Sequence, residues 1–312
     1  MEKDSKIYVA GHRGLVGSAI LRTLAAAGYR NIVTKTHEEL DLTRQDETEA
    51  FFESEKPQYV LLSAAKVGGI GANSHYPAQF IYQNLAIALN IINSSYKVGV
   101  QKLLNLGSSC IYPKLAPQPM KEEHLLTGAL EPTNEAYAIA KIAAIKLCKH
   151  YNDEYGTNYI SAMPTNMYGL RDTYDLENGH VLPTLIRKFH EAKVHGGEVT
   201  LWGDGSPLRE FLYSDDLGAA CVFLLEKLDY PELGEFVNVG SGEELTIKAL
   251  AQLVADIVGY SGKVNWDASK PNGTPRKLMD SSRLFAFGWK PKVGLREGIE
   301  RAYRDFLERE GL

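Results

Sequence analysis

Tyr137 and Lys141, in the segment NEAYAIAKIAA (134–144), are four residues apart. At that spacing both side chains lie on one face of a helix. An ammonium beside a phenol favours the phenolate, which predicts a lowered phenol pKa and proton exchange with a substrate oxygen near neutral pH. Upstream, GSSCIYP (107–113) sets Ser108, Ser109 and a thiol, Cys110, between an apolar run and a proline. If that segment is extended, its period of two puts Cys110 on the same side as Ser108. Near the start, GHRGLVG carries Gly11, Gly14 and Gly17 at three-residue spacing between an apolar strand and a helical pattern. Glycines there permit a tight turn, close approach of backbone to a pyrophosphate and close helix packing, so the loop reads as a dinucleotide site.

The elements that must hold these residues alternate. Strand patterns at 6–11, 31–36, 59–65, 102–108 and 158–169 are separated by helical patterns at 15–27, 46–54, 77–98 and 134–155. This predicts an α/β fold with a doubly wound parallel sheet over about residues 1–170, to which some later segments return. Beyond residue 170 the loops are rich in glycine and asparagine (Asn178-Gly179, Gly196-Gly197, Gly203–Pro207), followed by helical patterns at 246–258 and 295–309. Residues 171–312 are therefore expected to be mainly a smaller, discontinuous substrate-binding cap over the carboxyl ends of the strands.

Composition narrows the class. The chain has 312 residues, is 44% hydrophobic and carries a net charge of −5. It offers no basic run for nucleic acid and no apolar stretch long enough to span a bilayer. Its three cysteines are widely spaced, which speaks against a disulfide framework and a metal cluster. No apolar leader follows Met1, so a reducing cytoplasm is expected. Cys148 and Cys221 sit in apolar helical patterns and read as core residues. His37, His75, His124, His150, His190 and His195 read as structural.

The second strand ends Val33-Thr34-Lys35-Thr36-His37, without the acid that usually binds a ribose 2′-hydroxyl. Arg13 inside the glycine loop and Lys35 suit a 2′-phosphate instead, so the predicted cofactor is NADP.

With the glycine loop, the serine-bearing strand end and the Tyr-x-x-x-Lys helix in one chain, the sequence resembles the extended short-chain dehydrogenase/reductase superfamily. AAKVGGI, LEPTNEAYAIAKIAAIKLC, MPTNMYG, NGHVLP, REFLYSDD and DASKPNGTPRKLMD narrow the resemblance to its GDP-4-keto-6-deoxy-D-mannose 3,5-epimerase/4-reductases. That resemblance implies NADPH-dependent formation of GDP-L-fucose, a GDP-sugar substrate and a homodimer joined through the helices at 77–98 and 134–155. It implies Ser108 and Tyr137 at the keto oxygen, Lys141 at the nicotinamide ribose, Cys110 as the base and His180 as the acid of epimerisation. It further implies cofactor contacts from Gly11, His12, Arg13, Gly14, Leu15, Val16 and Gly17; from Lys35, Asp41 and Leu42; from Leu106, Gly107, Ser108 and Ser109; and from Lys141, Pro164, Thr165, Asn166, Met167 and His180. Lys188, Trp202, Arg209 and Asp280 would grip the substrate, with Arg187 an alternative to Lys188 and the cluster Lys270–Lys277 as further cations. Arg209-Glu210 and Asp215-Asp216 read equally well as a structural salt-bridge network. Two other activities fit the scaffold: a nucleotide-sugar 4-epimerase with tightly held NAD, and a non-enzymatic NADP sensor. Net NADPH consumption separates the first from a reductase, and the intact Tyr–Lys pair speaks against the second.

Overall fold

The computed structural model describes residues 1–176, 179–270 and 272–311; Asn178 and Pro271, within loops singled out above, lie outside the described residues. The first half follows the expected alternation: β1 (Ile7–Ala10), α1 (Leu15–Ala26), β2 (Ile32–Val33), α2 (Gln45–Glu55), β3 (Tyr59–Leu62), α3 (Ile70–His75), α4 (Pro77–Lys97), β4 (Lys102–Leu106), α5 (Glu135–Tyr155) and β5 (Tyr159–Pro164). The second half runs β6 (Asn166–Tyr168), α6 (Val181–His195), β7 (Val199–Trp202), β8 (Leu208–Tyr213), α7 (Ser214–Lys227), α8 (Tyr230–Leu233), β9 (Val237–Val239), β10 (Glu244–Thr246), α9 (Ile247–Val258), β11 (Val264–Asp267), β12 (Arg276–Lys277), α10 (Ser282–Ala286) and α11 (Leu295–Glu310).

The central sheet has the order β2-β1-β3-β4-β5-β9, with every pairing parallel. Its strands are buried on both faces, which explains their unbroken apolar runs. Alternate residues enter two cores. Ile7, Val9, Leu61, Leu104 and Ile160 meet α1 and α7 on one side. Tyr8, Ala10, Val60, Leu103 and Tyr159 meet α2, α4 and α5 on the other. Cys221 and Cys148 are fully buried in these two cores, as expected. The connections from β1 and β3 leave in opposite directions, which opens a crevice at their carboxyl ends.

A further core, built on Tyr168, Leu185, Phe189, Phe211, Val254, Ile299 and Phe306, lies in the cap. There β8 pairs with β10, β12 and β6, while β7 pairs with β11.

The structure departs from the sequence reading at two places. The segment expected as one strand over 158–169 breaks after Pro164, which has no N–H to donate; β5 stays in the central sheet and β6 crosses to pair with β8. The segment REFLYSDD begins as β8 but continues into α7, most of whose residues are buried, so that no continuous polar stripe marks it. It packs tightly on α1: a Cβ on Gly218 would lie 2.7 Å from Thr23 Oγ1. The expected return of a later segment to the central sheet is made by residues 235–241, EFVNVGS, which supply β9, its sixth strand.

Candidate active site

The glycine loop leaves β1 at Gly11, whose φ of 83° is left-handed. A Cβ on Gly17 would lie 2.1 Å from the Gly11 carbonyl oxygen, so the first turn of α1 closes on the loop only with glycine there. Gly14 is the N-cap of α1 and no side chain caps that end, which leaves its first N–H groups for an anion. His12 Nδ1 is buried without a partner, an orphan that a bound polar group would satisfy. The Glu39 carboxyl is held low first by its bonds to Thr36 and less by the charges of Lys35 and Arg13. Glu39 itself is turned onto the Thr36 amide at 2.7 Å. Asp41 is similarly occupied, accepting from the amide and hydroxyl of Thr43 at 3.0 and 2.7 Å. The Leu42 carbonyl accepts from Asn90. These features fit a phosphorylated dinucleotide.

At the end of β4, the Lys141 ammonium donates to the Leu106 carbonyl at 2.8 Å and lies 5.7 Å from the centre of the Tyr137 ring. Phe80 of α4 meets that ring edge-on at 6.2 Å. The expected lowering of the phenol pKa is not what the structure gives. Desolvation, and secondarily the Cys110 charge, push the partly buried Tyr137 well above the ordinary phenol range, and the ammonium, tied to a carbonyl, does not offset them. Burial also pulls Lys141 down to about 8, against an opposing pull from Cys110. The phenol is therefore a fully protonated acid at neutral pH.

Cys110 also needs correcting. Residues Ser109–Ile111 form a single 3₁₀ turn, so the period-of-two argument for an extended chain fails. The Ser108 hydroxyl caps that turn, accepting from the Cys110 amide at 3.4 Å. The turn nonetheless keeps sulfur and hydroxyl together, and the thiol is only 8% exposed. Burial pushes it up, while Lys277, Ser108 and Lys141 oppose the rise. Cys110 lines a pocket with Ser109, Tyr112, Asn134, Arg276 and Lys277.

His180 is the N-cap of α6 and its side chain makes no capping bond. The residue is exposed, yet its pKa is lowered, first by desolvation from the protein around the ring and second by Lys277. One ammonium thus acts on both the thiol and the imidazole.

The cap residues separate by what already holds them. Arg187 is committed, to Glu191 at 2.7 Å and to the Tyr174 carbonyl at 3.2 Å. Lys188 reaches only the Thr200 carbonyl, at 3.3 Å. Trp202 is 63% exposed, with the Lys270 ammonium 5.7 Å from its ring centre. Arg209 donates to the Leu208 carbonyl at 2.8 Å and lies beneath Gly273. Asp280 accepts from the Ser282 amide at 3.0 Å at the start of α10. Asn166 spends its amide nitrogen on the Glu210 carbonyl at 2.8 Å.

Of the suggested salt-bridge network, only Asp215 has an ion-pair partner among the described residues; Glu210 and Asp216 are held by backbone amides. Glu210 accepts from the amides of Gly242 and Met279 at 2.8 and 3.1 Å, and Asp216 accepts from those of Lys292 and Val293 at 3.0 and 2.9 Å. Asp215 pairs with Arg22. Glu210 thus ties β8, which carries Arg209, to the loop before Asp280 and, through its carbonyl, to Asn166. Two residues of the pocket went unread as site residues. Asn134 has a buried Oδ1 without a partner, and Lys277 was one cation among a cluster. Only tertiary placement distinguishes either.

Among the described residues no group of three or more metal-ligating side chains could hold a metal, and no helix is long and apolar enough to cross a membrane.

Comparison with known proteins agrees with this geometry. The chain is 61% identical to GDP-L-fucose synthase 1 of Arabidopsis thaliana, over 98% of this chain and 94% of that one. It is 51% identical to the GDP-L-fucose synthase of Escherichia coli strain K12, over 98% and 97% of the two chains. A GDP-mannoheptose C4 reductase from Campylobacter jejuni, solved with NADP bound, superposes with a TM-score of 0.92 at 39% identity and covers 98% of this chain and 99% of its own. The sequence profile of the NAD dependent epimerase/dehydratase family matches residues 7–240, and the chain belongs to that family.

Proposed function

We propose that the chain converts GDP-4-keto-6-deoxy-D-mannose to GDP-L-fucose, inverting carbons 3 and 5 and then reducing the ketone at carbon 4 with NADPH. The observation that carries this reading is Cys110. A ketone reductase needs the phenol and the lysine; here a thiol acts electrostatically on both of them.

Protons beside a ketone are acidic when the enolate oxygen is stabilised, and the Ser108 and Tyr137 hydroxyls serve that oxygen. Cys110 as thiolate removes the proton from one face of the ring, and His180 as imidazolium returns one to the other. After both inversions Tyr137 gives its proton to the carbon-4 oxygen as that oxygen gains charge. The lysine keeps a positive charge near the phenol as it becomes phenolate. NADPH supplies the hydride. Its phosphates fit the capless start of α1 and the Arg13–Lys35 pair. Arg209 and Lys188, neither bound to a carboxylate in the contacts above, suit the diphosphate, and Lys188 is better placed for this than the committed Arg187. The exposed Trp202 offers a flat face for guanine. Residues 1–170 with α7 and β9 would hold the cofactor, and the remainder the sugar nucleotide.

The test is stoichiometry: one NADPH oxidised for each keto sugar consumed, with kcat/KM higher for NADPH than for NADH. Turnover of sugar without NADPH oxidation would overturn the reading in favour of a 4-epimerase.

A homodimer is part of the same proposal. Helices α4 and α5 enclose an apolar groove lined by Leu85, Ala88, Leu89, Ala143 and Leu147, with Tyr82 68% and Leu89 50% exposed beside it. Two such pairs across a two-fold axis would bury these side chains as a four-helix bundle. Leu89→Glu is expected to convert a dimer into a monomer by light scattering; a wild type that is already monomeric contradicts the proposal. Three unpaired thiols suit a cytoplasmic enzyme.

A further inference from the structure

The chemistry above leaves one cation of the cap unassigned. In the strand pair β8–β12, Arg276 stands opposite Leu208 and Lys277 opposite Arg209. Alternation along β12 sends the two side chains to opposite faces. Arg276 turns to Glu244, with its Nε 2.9 Å from that carboxylate. Both residues line the Cys110 pocket, but Lys277 has no such carboxylate partner: none within ion-pair distance answers its ammonium among the described residues.

From this placement we infer that Lys277 is a positioning residue for epimerisation: its charge holds Cys110 available as thiolate. The inference rests on the assignment of Cys110 as the base.

The other charges facing Cys110 do not duplicate this role. Lys141 on α5 is bound to the Leu106 carbonyl, and Tyr137 beside it is neutral at ordinary pH. Lys114, in the loop after the 3₁₀ turn, pairs with Glu131 at 3.0 Å. Arg276 is neutralised by Glu244, leaving Lys277 as the unpaired cation of the pocket wall. Its own ammonium is depressed by burial, supported by the Cys110 charge and opposed by Arg209. A positive charge favours the deprotonated form of any neighbour, so it stabilises a thiolate and makes an imidazolium more acidic. For Cys110 this raises the share of the thiol present as thiolate, the form that can accept the proton from carbon.

Iodoacetamide alkylation of the NADP-bound protein reads this directly, because only thiolates react and Cys148 and Cys221 are fully buried. Lys277→Met and Lys277→Gln are expected to slow Cys110 alkylation about tenfold near neutral pH by raising its midpoint about one pH unit, and Lys277→Arg to restore it. NADPH binding by each variant checks its fold. An unmoved midpoint overturns the inference, as does a raised KM for the GDP-sugar without a change in the thiol, which would make Lys277 a substrate contact. Loss of NADPH binding in both neutral variants assigns it a structural role and overturns it too. None of these results depends on whether Cys110 is the epimerisation base, which a Cys110 variant decides separately.

Discussion

Cys110→Ser will lose deuterium uptake at carbons 3 and 5 by about a thousandfold while still binding NADPH, a loss within the usual range for removing a positioned general base. The hydroxyl keeps the size of the side chain but ionises far outside the working range. The 3₁₀ turn over Ser109–Ile111 is set by the backbone and by the Ser108 cap, so it survives the substitution. Because the base acts as thiolate and burial raises its pKa, wild-type exchange should climb as pH rises through the thiol titration. Exchange measured by NMR checks both points. A variant with wild-type exchange removes Cys110 from the chemistry.

Tyr137→Phe is expected to lower NADPH oxidation about a thousandfold with the fold intact, since the ring stays packed against Phe80 and only the hydroxyl is lost. The pH profile carries the companion expectation. Lys141 is charged below about 8 and neutral above it, so reduction should decline as pH rises through that value. The ammonium is what stabilises the phenolate left after proton transfer. Stopped-flow NADPH absorbance gives both quantities. A Phe variant that reduces at the wild-type rate would place the proton donor elsewhere.

The parallel sheet and the glycine loop were legible because both follow local rules. Buried parallel strands read as apolar runs, and a loop closing on a helix start at Gly17 admits no Cβ. The pairing of Tyr137 with Lys141 follows from helical spacing alone. What failed depended on environment. Spacing shows that an ammonium lies near a phenol, but not how far the phenol is desolvated or that the ammonium is bound to Leu106, and desolvation decides the sign of the shift. The 3₁₀ turn at Cys110 was hidden because Ser, Cys and Ile next to one another suit an extended segment equally well. α7 was missed because a helix buried against both α1 and the sheet loses its polar stripe. Lys277 was indistinguishable from its cationic neighbours until strand pairing assigned Arg276 to Glu244.

The central claim is that a thiol base and an imidazole acid work on the same sugar ring beside a reductase's phenol. Incubation with GDP-4-keto-6-deoxy-D-mannose and NADPH in D₂O, followed by NMR of the product, tests it most directly. The account predicts deuterium at both carbon 3 and carbon 5, and protium delivered from NADPH at carbon 4. A product reduced at carbon 4 with neither neighbouring carbon labelled would contradict it.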